Sequence, residues 1–156
     1  MKAIKVVIVV FFVLTIHSNS QQKISGVVNY YSKVNTISQD GLILEVETLQ
    51  GFHPTDDILI IQMKGALFNR ENSENFGTIN AYNACGNYEI VKIHSIDEST
   101  NSIILSNSLC REYDSRYAVQ IVKIPHYESC IVDDNALIPE AWNGNIGGVL
   151  IIDVED

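Results

Sequence analysis

Basic residues are scarce in this chain, which has 10 Lys and Arg among 156 residues against 19 Asp and Glu. The formal net charge is therefore −9 at pH 7. Nucleic acids and anionic membranes are bound through clusters of Lys and Arg, so this scarcity argues against both as partners. The acidic residues are scattered among turns and strand ends. We interpret them as a solubilising surface, with cation binding as the alternative.

Cysteine is also rare, and Cys85, Cys110 and Cys130 form an odd set. If the hairpin predicted below is centred near Ser99, Tyr88 lies opposite Cys110, and Cys85 lies just beyond the open end. We therefore predict a disulfide between Cys85 and Cys110, which leaves Cys130 without a partner. The chain is long enough to build a core without such a bond.

Catalytic motifs are missing as well. The sequence contains no Gly-x-Ser-x-Gly elbow, no phosphate loop ending in Gly-Lys-Ser/Thr, no His-Glu-x-x-His and no Cys-x-x-Cys. The glycine-rich stretch Gly144–Gly148 precedes an apolar segment instead of opening a helix, so we interpret it as a turn and not as a phosphate cradle. These observations predict a protein that is not an enzyme and uses no cofactor.

Histidines and acidic residues do not form the spacing of a metal site. His53, His94 and His126 are far apart, whereas a zinc site needs three or four converging ligands. We expect no metal site. Two alternatives are a Ca²⁺ ion at the oxygen-rich stretch 133–135 and a thiol–imidazole pair of Cys130 with His126.

The first twenty residues differ from the rest. Lys2 and Lys5 precede an apolar run of eleven residues, Val6 to Ile16, and small polar residues follow up to Ser20. This pattern predicts a secretory signal peptide over residues 1–20. The apolar run is shorter than the roughly 20 residues of a membrane-spanning helix; an uncleaved anchor is the alternative.

Removal of residues 1–20 takes away two Lys and no acid, leaving eight basic against 19 acidic residues and a net charge of −11. We expect an exported mature chain that does not insert into a membrane.

Two dense apolar stretches organise the mature chain. Four consecutive aliphatic residues, Ile58–Ile61, predict that Asp57–Ala66 is a strand buried on both faces. Tyr117–Ile124 is the second such stretch and ends at Pro125. We expect the two strands to lie near each other in one sheet or barrel.

Other segments also have the β-branched enrichment or the period-two alternation of strands, and turn residues separate them. Together they predict one all-β domain over residues 21–156, a small barrel or sandwich of about eight strands. If the chain continues, we expect the closing strand to lead into further β structure. The additional predicted strands are Ile24–Tyr31, Leu42–Val46, a hairpin of Tyr88–Ile96 with Ser102–Asn107, a hairpin of Cys130–Val132 with Ala136–Ile138, and Val149–Val154.

The stretch Leu67–Gly86 lacks periodicity, and loops of this length in a small domain are often functional or mobile. A short helix around Asn69–Asn75 is one alternative for part of it. Its aromatic residues Phe68, Phe76 and Tyr82 either pin it onto the rest of the fold, which we favour, or belong to a ligand surface.

Several of these segments together resemble a known group of proteins. Asp57–Ala66 (DILIIQMKGA), Gly86–Glu89 (GNYE), Val119–Tyr127 (VQIVKIPHY), Trp142–Gly144 and Gly147–Val149 are similar, in this order and spacing, to the N-terminal region of large secreted surface proteins of Bacteroidota. Many such proteins carry adhesin-like repeats and a C-terminal sorting or gliding-motility-associated domain. The resemblance covers about Ile24 to Val154 and implies no catalytic role. No sorting domain is visible in this sequence, which is either a piece of a longer chain or a short version.

The sequence therefore predicts a non-enzymatic, exported β-rich module of a cell-surface or extracellular protein, with a role in structure, adhesion or assembly. Its partner is expected to be a protein or a glycan at the cell surface. The alternative is a carbohydrate-binding accessory module in which Trp142 forms an aromatic platform with Tyr82, Tyr113 or Tyr127. A single Trp is otherwise typical of a core. An enzyme fragment is a third and weaker interpretation.

Overall fold

The computed structural model describes residues 21–155, so the signal peptide predicted over residues 1–20 lies outside the described residues. Within this range the ordered elements are strands, twelve in number, and none of its residues is helical. Between Gln21 and Glu155 there is accordingly no helix long and apolar enough to cross a membrane. The strands are β1 Gln22–Gly26, β2 Tyr31–Ile37, β3 Ile43–Val46, β4 Asp57–Gln62, β5 Leu67–Phe68, β6 Ile79–Ala81, β7 Tyr88–Asp97, β8 Ser102–Leu105, β9 Val119–Lys123, β10 His126–Tyr127, β11 Cys130–Leu137 and β12 Asp153–Val154.

Six of the strands close into a barrel in the order β2-β3-β8-β7-β4-β9, and every neighbouring pair is antiparallel. The predicted all-β class is confirmed, and of the two predicted architectures the barrel is the one present. The predicted proximity of the two dense apolar stretches is also confirmed. They form the adjacent strands β4 and β9, with Ile60 opposite Ile121.

Apolar side chains, which alternate with polar ones along the strands, fill the barrel interior. On β3, Leu44 and Val46 are buried inside while Glu45 points to solvent, as period two requires. The corresponding inward residues of the other strands complete one cluster. Its fully or nearly fully buried members are Val34, Leu44, Val46, Phe52, Ile58, Ile60, Ile93, Ile103, Leu105, Val119 and Ile121.

The strand β4 is buried on both faces, as its unbroken aliphatic run predicts. Ile58 and Ile60 face the barrel interior, whereas Leu59 belongs to a second cluster on the outer surface with Tyr31 and Val122. That outer cluster is covered by residues 143–151, which we call the strap. Three strap side chains, Ile146, Val149 and Ile151, pack against it.

Buried polar side chains hold the strap in place. The side-chain amide of Gln120, fully buried on β9, donates to the carbonyl oxygen of Gly147 at 3.0 Å and accepts from its N–H at 2.8 Å. The side-chain amide of Asn29 likewise donates to the carbonyl oxygen of Ile151 and accepts from its N–H.

Gly147 has φ +98°, and a Cβ there would lie 2.6 Å from the carbonyl oxygen of Ala141, so only glycine fits. The turn predicted at Gly144–Gly148 is confirmed, since Asn143 Oδ1 accepts from the N–H groups of Asn145 and Ile146.

The hairpin of β7 and β8 is confirmed together with its turn. Asp97 lies opposite Ser102, and the Asp97 carboxylate accepts from the N–H and the hydroxyl of Ser99. These hydrogen bonds favour the ionised carboxylate, so the pKa of Asp97 is lowered. Asn101 provides the left-handed residue of the turn, with φ 49°.

The single strand predicted over Ile24–Tyr31 is wrong. The chain instead forms β1, leaves the extended conformation at Gly26, with φ 67°, and begins β2 only at Tyr31. The residue Asn29 between them is buried because its side chain donates to the carbonyl oxygens of Lys123 and Ile151. Between β1 and β2, hydrogen bonds of the Asn29 side chain therefore take the place of the backbone hydrogen bonds of a strand.

Two predictions for the C-terminal third are also wrong. Residues 130–138 do not form a hairpin, because Cys130–Leu137 is one strand that pairs in parallel with β1. The expected strand over Val149–Val154 is reduced to Asp153–Val154, which pairs in parallel with β10, since the preceding residues serve as the strap. The structure has twelve strands instead of about eight, because the predicted first strand is divided into β1 and β2 and because β5, β6 and β10 were not predicted.

Candidate functional site

A segment of 25 residues leaves the barrel after β4 and returns at β7; we call residues 63–87 the excursion. The strand β4 ends at Gln62 and does not continue to Ala66 as predicted. Within the excursion, β5 and β6 form a short antiparallel pair, and the N–H of Asn69 donates to the carbonyl oxygen of Thr78. The alternative of a short helix around Asn69–Asn75 is not what the structure has.

The excursion presents apolar side chains to solvent. Phe76 is 66% exposed, Tyr82 is 64% exposed and Phe68 is 45% exposed, and Leu67 and Ile79 are exposed to a similar degree. The prediction that these aromatic residues pin the segment onto the barrel is therefore wrong. A two-stranded hairpin of this size has no core of its own in which to bury them. The guanidinium of Arg70 lies 4.9 Å from the centre of the Phe68 ring, a cation–π contact that leaves the group accessible.

The root of the excursion is fixed by Gln62, the last residue of β4, which is fully buried. Its side-chain Nε2 donates to the carbonyl oxygen of Lys64 at 2.8 Å and to that of Asn83 at 2.7 Å. Its Oε1 accepts from the N–H of Asp114 at 2.8 Å. One buried amide thus joins the two ends of the excursion to the segment before β9.

Further hydrogen bonds and a reversal of the backbone complete this root. The side chain of Asn83 donates to the carbonyl oxygen of Gly65 at 3.0 Å, and the N–H of Gly86 donates to the carbonyl oxygen of Gln62 at 2.8 Å. Asn83 and Ala84 both have positive φ, so the chain reverses here through left-handed residues. The excursion is therefore firmly attached at its base, and beyond the base it carries exposed apolar side chains among exposed polar ones.

Trp142 lies beside this root. Its side chain is 39% exposed, and the ammonium of Lys64 lies 5.5 Å from the centre of its ring. The same ammonium donates to the carbonyl oxygen of Gly144 at 2.6 Å, which holds the cation over the indole. The Trp predicted for an aromatic platform is thus at the surface, with Lys64 over its ring.

The three tyrosines predicted as companions of Trp142 differ in exposure. Tyr82 is exposed and Tyr127 is half-buried. The Tyr113 hydroxyl oxygen is buried without a hydrogen-bond partner among the described residues. Burial and the negative charge of Glu89 raise the pKa of Tyr113, so its phenol stays neutral. Tyr113 is therefore unsuited to a solvent-facing platform.

The predicted disulfide is not formed in the structure, in which Cys85, Cys110 and Cys130 are free thiols. Cys85 donates to the carbonyl oxygen of Met63 across 3.6 Å, inside the root of the excursion. Cys110 is exposed, and its backbone N–H donates to the carboxylate of Glu89. The pairing of Cys85 with Cys110 stays a prediction.

A cavity of about 440 Å³ opens between the turn that joins β2 to β3 and residues 109–113. Asp40, Cys110, Arg111 and Tyr113 are among the residues that line it. The carboxylate of Glu89 accepts from the N–H groups of Cys110 and Arg111, which fixes one wall. The backbone of residues 110 and 111 is thus held by Glu89, whereas the hydroxyl of Tyr113 has no hydrogen-bond partner among the described residues.

The histidines have unrelated surroundings. His53 lies near Asp56 and Lys123, His94 is exposed on β7, and His126 contacts Asp153 and Glu155. At the stretch 133–135, Asp133 accepts from the next backbone N–H and lies 3.9 Å from Lys23. In the part of the chain that the structure describes, no group of three or more His, Cys, Asp or Glu side chains is arranged to hold a metal ion.

Comparison with known proteins gives little further information. No protein-family model matches the chain, and no curated protein matches it. Among solved structures, the chain is similar to the tailspike of Acinetobacter baumannii bacteriophage AP22, solved in complex with A. baumannii capsular saccharide, with 13% identity and a TM-score of 0.42. It is also similar to the tailspike protein of Pseudomonas phage LKA1, with 15% identity and a TM-score of 0.38. These matches cover 72% and 76% of this chain but only 16% and 20% of the two tailspikes.

Proposed function

We propose that this β-rich protein is a non-enzymatic, exported module of a cell-surface or extracellular protein, and that the excursion is its contact surface for a protein or glycan partner. The observation that carries the proposal is the set of five exposed apolar side chains within residues 67–82, on a segment attached to the barrel through the buried Gln62. Loops on a rigid scaffold are a common place for binding residues, and exposed apolar patches often mark interaction sites.

Other features support the same role. Residues 1–20 have the pattern of a secretory signal peptide, and the acidic composition suits a soluble exported domain. The resemblance of the sequence to the N-terminal regions of large surface proteins of Bacteroidota points to the same setting, in which this module contributes to adhesion or assembly.

Changing Phe68, Phe76 and Tyr82 together to Ser is expected to abolish binding and to leave the fold intact. Each side chain is exposed, so the cost to the free energy of unfolding is at most about 0.5 kcal/mol per position. Aromatic anchors of an interface are worth about 2 kcal/mol or more each, so losing one should weaken affinity about thirtyfold, and losing three should take binding below detection. Flow cytometry of the labelled protein on intact cells of the source organism measures this loss.

A matched control replaces three exposed apolar residues that lie elsewhere, Ile43, Ile131 and Ile138, with Ser. This control variant should bind as the unchanged protein does. Equal binding by all three proteins would remove the excursion from the proposal, and loss of binding in the control alone would move the contact surface to another face.

A carbohydrate-binding accessory module is the second candidate, and the surface position of Trp142 favours it. Sugar rings stack on aromatic faces, and the Lys64 ammonium, which lies over the indole, is a hydrogen-bond donor at the same place. If this is the function, Trp142→Ala should eliminate retardation of the protein in gels containing the polysaccharide it binds, while Phe76→Ala should not. Retardation that survives in Trp142→Ala would exclude a platform built on this residue.

A further inference from the structure

The C-terminal strand β12 is attached to the rest of the protein by few backbone bonds. Asp153 and Val154 pair in parallel with His126 and Tyr127 of β10. The N–H of Asp153 donates to the carbonyl oxygen of Pro125 at 3.0 Å, and that of Glu155 donates to the carbonyl oxygen of Tyr127 at 2.9 Å. A two-residue ladder at the surface is marginal by itself, so side-chain contacts decide whether it persists.

The imidazole of His126 supplies such contacts with both of its nitrogens. Nδ1 lies 3.0 Å from Asp153 Oδ2, and Nε2 lies 3.2 Å from Glu155 Oε1. A neutral imidazole carries one N–H donor and one acceptor, whereas an ionised carboxylate only accepts. Both contacts are therefore hydrogen bonds only when the ring is the doubly protonated cation.

We infer that His126, Asp153 and Glu155 form a pH-sensitive clasp, which holds β12 against β10 while the imidazole is charged and releases it when the imidazole loses a proton. The inference goes beyond the proposed function and does not depend on it. It rests on the geometry of one ring placed between two carboxylates that belong to the strand it holds.

The sign of the pH dependence follows from the neighbouring charges. Asp153 and Glu155, both on the β12 side, are the charged groups that act on the ring, and their hydrogen bonds raise the pKa of His126 above its ordinary value. Tyr127, the next residue on β10, has its pKa raised by burial and stays neutral. A raised pKa means that the clasp is closed below the ordinary histidine range and is lost as the pH rises through the pKa of the folded protein.

Nuclear magnetic resonance on the ¹⁵N-labelled folded protein tests the clasp between pH 5.5 and pH 9. Asp and Glu are ionised throughout this range and contribute no step, and the His126→Gln variant described below identifies the step that belongs to His126. The backbone order parameters of residues 153–155 are expected to fall from about 0.85 at the acidic end to below about 0.6 at the basic end. The midpoint should coincide with the titration of the His126 ring protons.

Two variants separate the clasp from a general effect of pH. His126→Gln cannot become charged, so its order parameters should show no step in this range. His94→Gln removes an exposed histidine of β7 and should keep the step of the unchanged protein. Order parameters that stay constant across the pH range, or a step that persists in His126→Gln, would overturn the inference.

Discussion

Replacing Gln62 with Leu is expected to lower the free energy of unfolding by about 3 kcal/mol. The substitution removes three hydrogen bonds and leaves the N–H of Asp114 and the carbonyl oxygens of Lys64 and Asn83 without their partner. Each of the three lost hydrogen bonds is worth about 1 kcal/mol net, which gives the expected loss. Domains of this size are typically stable by about 5–15 kcal/mol, so the loss is large.

Urea-induced unfolding followed by circular dichroism measures the change. The matched control is Gln50→Leu, because Gln50 is exposed and should change the free energy of unfolding by no more than about 0.5 kcal/mol. Equal stability of the Gln62→Leu variant and the unchanged protein would show that the excursion is not attached through this residue.

Shortening Leu59 to Ala is expected to cost about 2–5 kcal/mol, as for an interior residue, although Leu59 points away from the barrel interior. Leu59 is 6% exposed because the strap lies over the outer cluster that contains it. Removal of its side-chain carbons opens a cavity between β4 and the strap, which is held by the hydrogen bonds of Gln120 and Asn29.

The neighbour of Leu59 provides a close control. Ile90 lies directly opposite it across the β4–β7 ladder but beyond the strap, and it is 59% exposed. Ile90→Ala should therefore change the free energy of unfolding far less than Leu59→Ala. Similar losses for both variants in thermal and urea unfolding would contradict the position of the strap.

The parts of the fold that the sequence predicts well are those with strong local signals. The aliphatic run Ile58–Ile61 predicts a strand buried on both faces, and the alternation in Leu42–Val46 predicts a half-buried strand; both are found. The β7–β8 hairpin is correct with its turn because Asp97 and Asn101 have the turn chemistry that such a connection requires.

The parts that it does not predict depend on partners far along the chain. Parallel pairing of β1 with β11 joins segments about a hundred residues apart, which periodicity cannot reveal. The strap has the apolar composition of a strand, yet its hydrogen bonds go to the side chains of Gln120 and Asn29. A polar side chain within a dense apolar strand, such as Gln120, was the available signal for this arrangement.

The candidate site was predicted only in outline. Lack of periodicity and the presence of Phe68, Phe76 and Tyr82 marked the excursion as unusual, but the sequence gives no measure of side-chain exposure. The anchoring role of Gln62 was missed, because its partners at Asn83 and Asp114 are brought together only in the folded protein.

Limited chymotrypsin digestion of intact cells of the source organism, and of their culture medium, tests whether the protein is an exported barrel that presents its excursion to solvent. We expect fragments cut after Phe76 and Tyr82 to appear without lysis, because both residues are exposed and the proposed module is exported. Tyr31 and Phe52 are buried in the barrel and should remain uncut in the same digest. Recovery of the protein only after lysis, or cleavage at Tyr31 and Phe52 before the excursion, would contradict an exported barrel that presents its excursion to solvent.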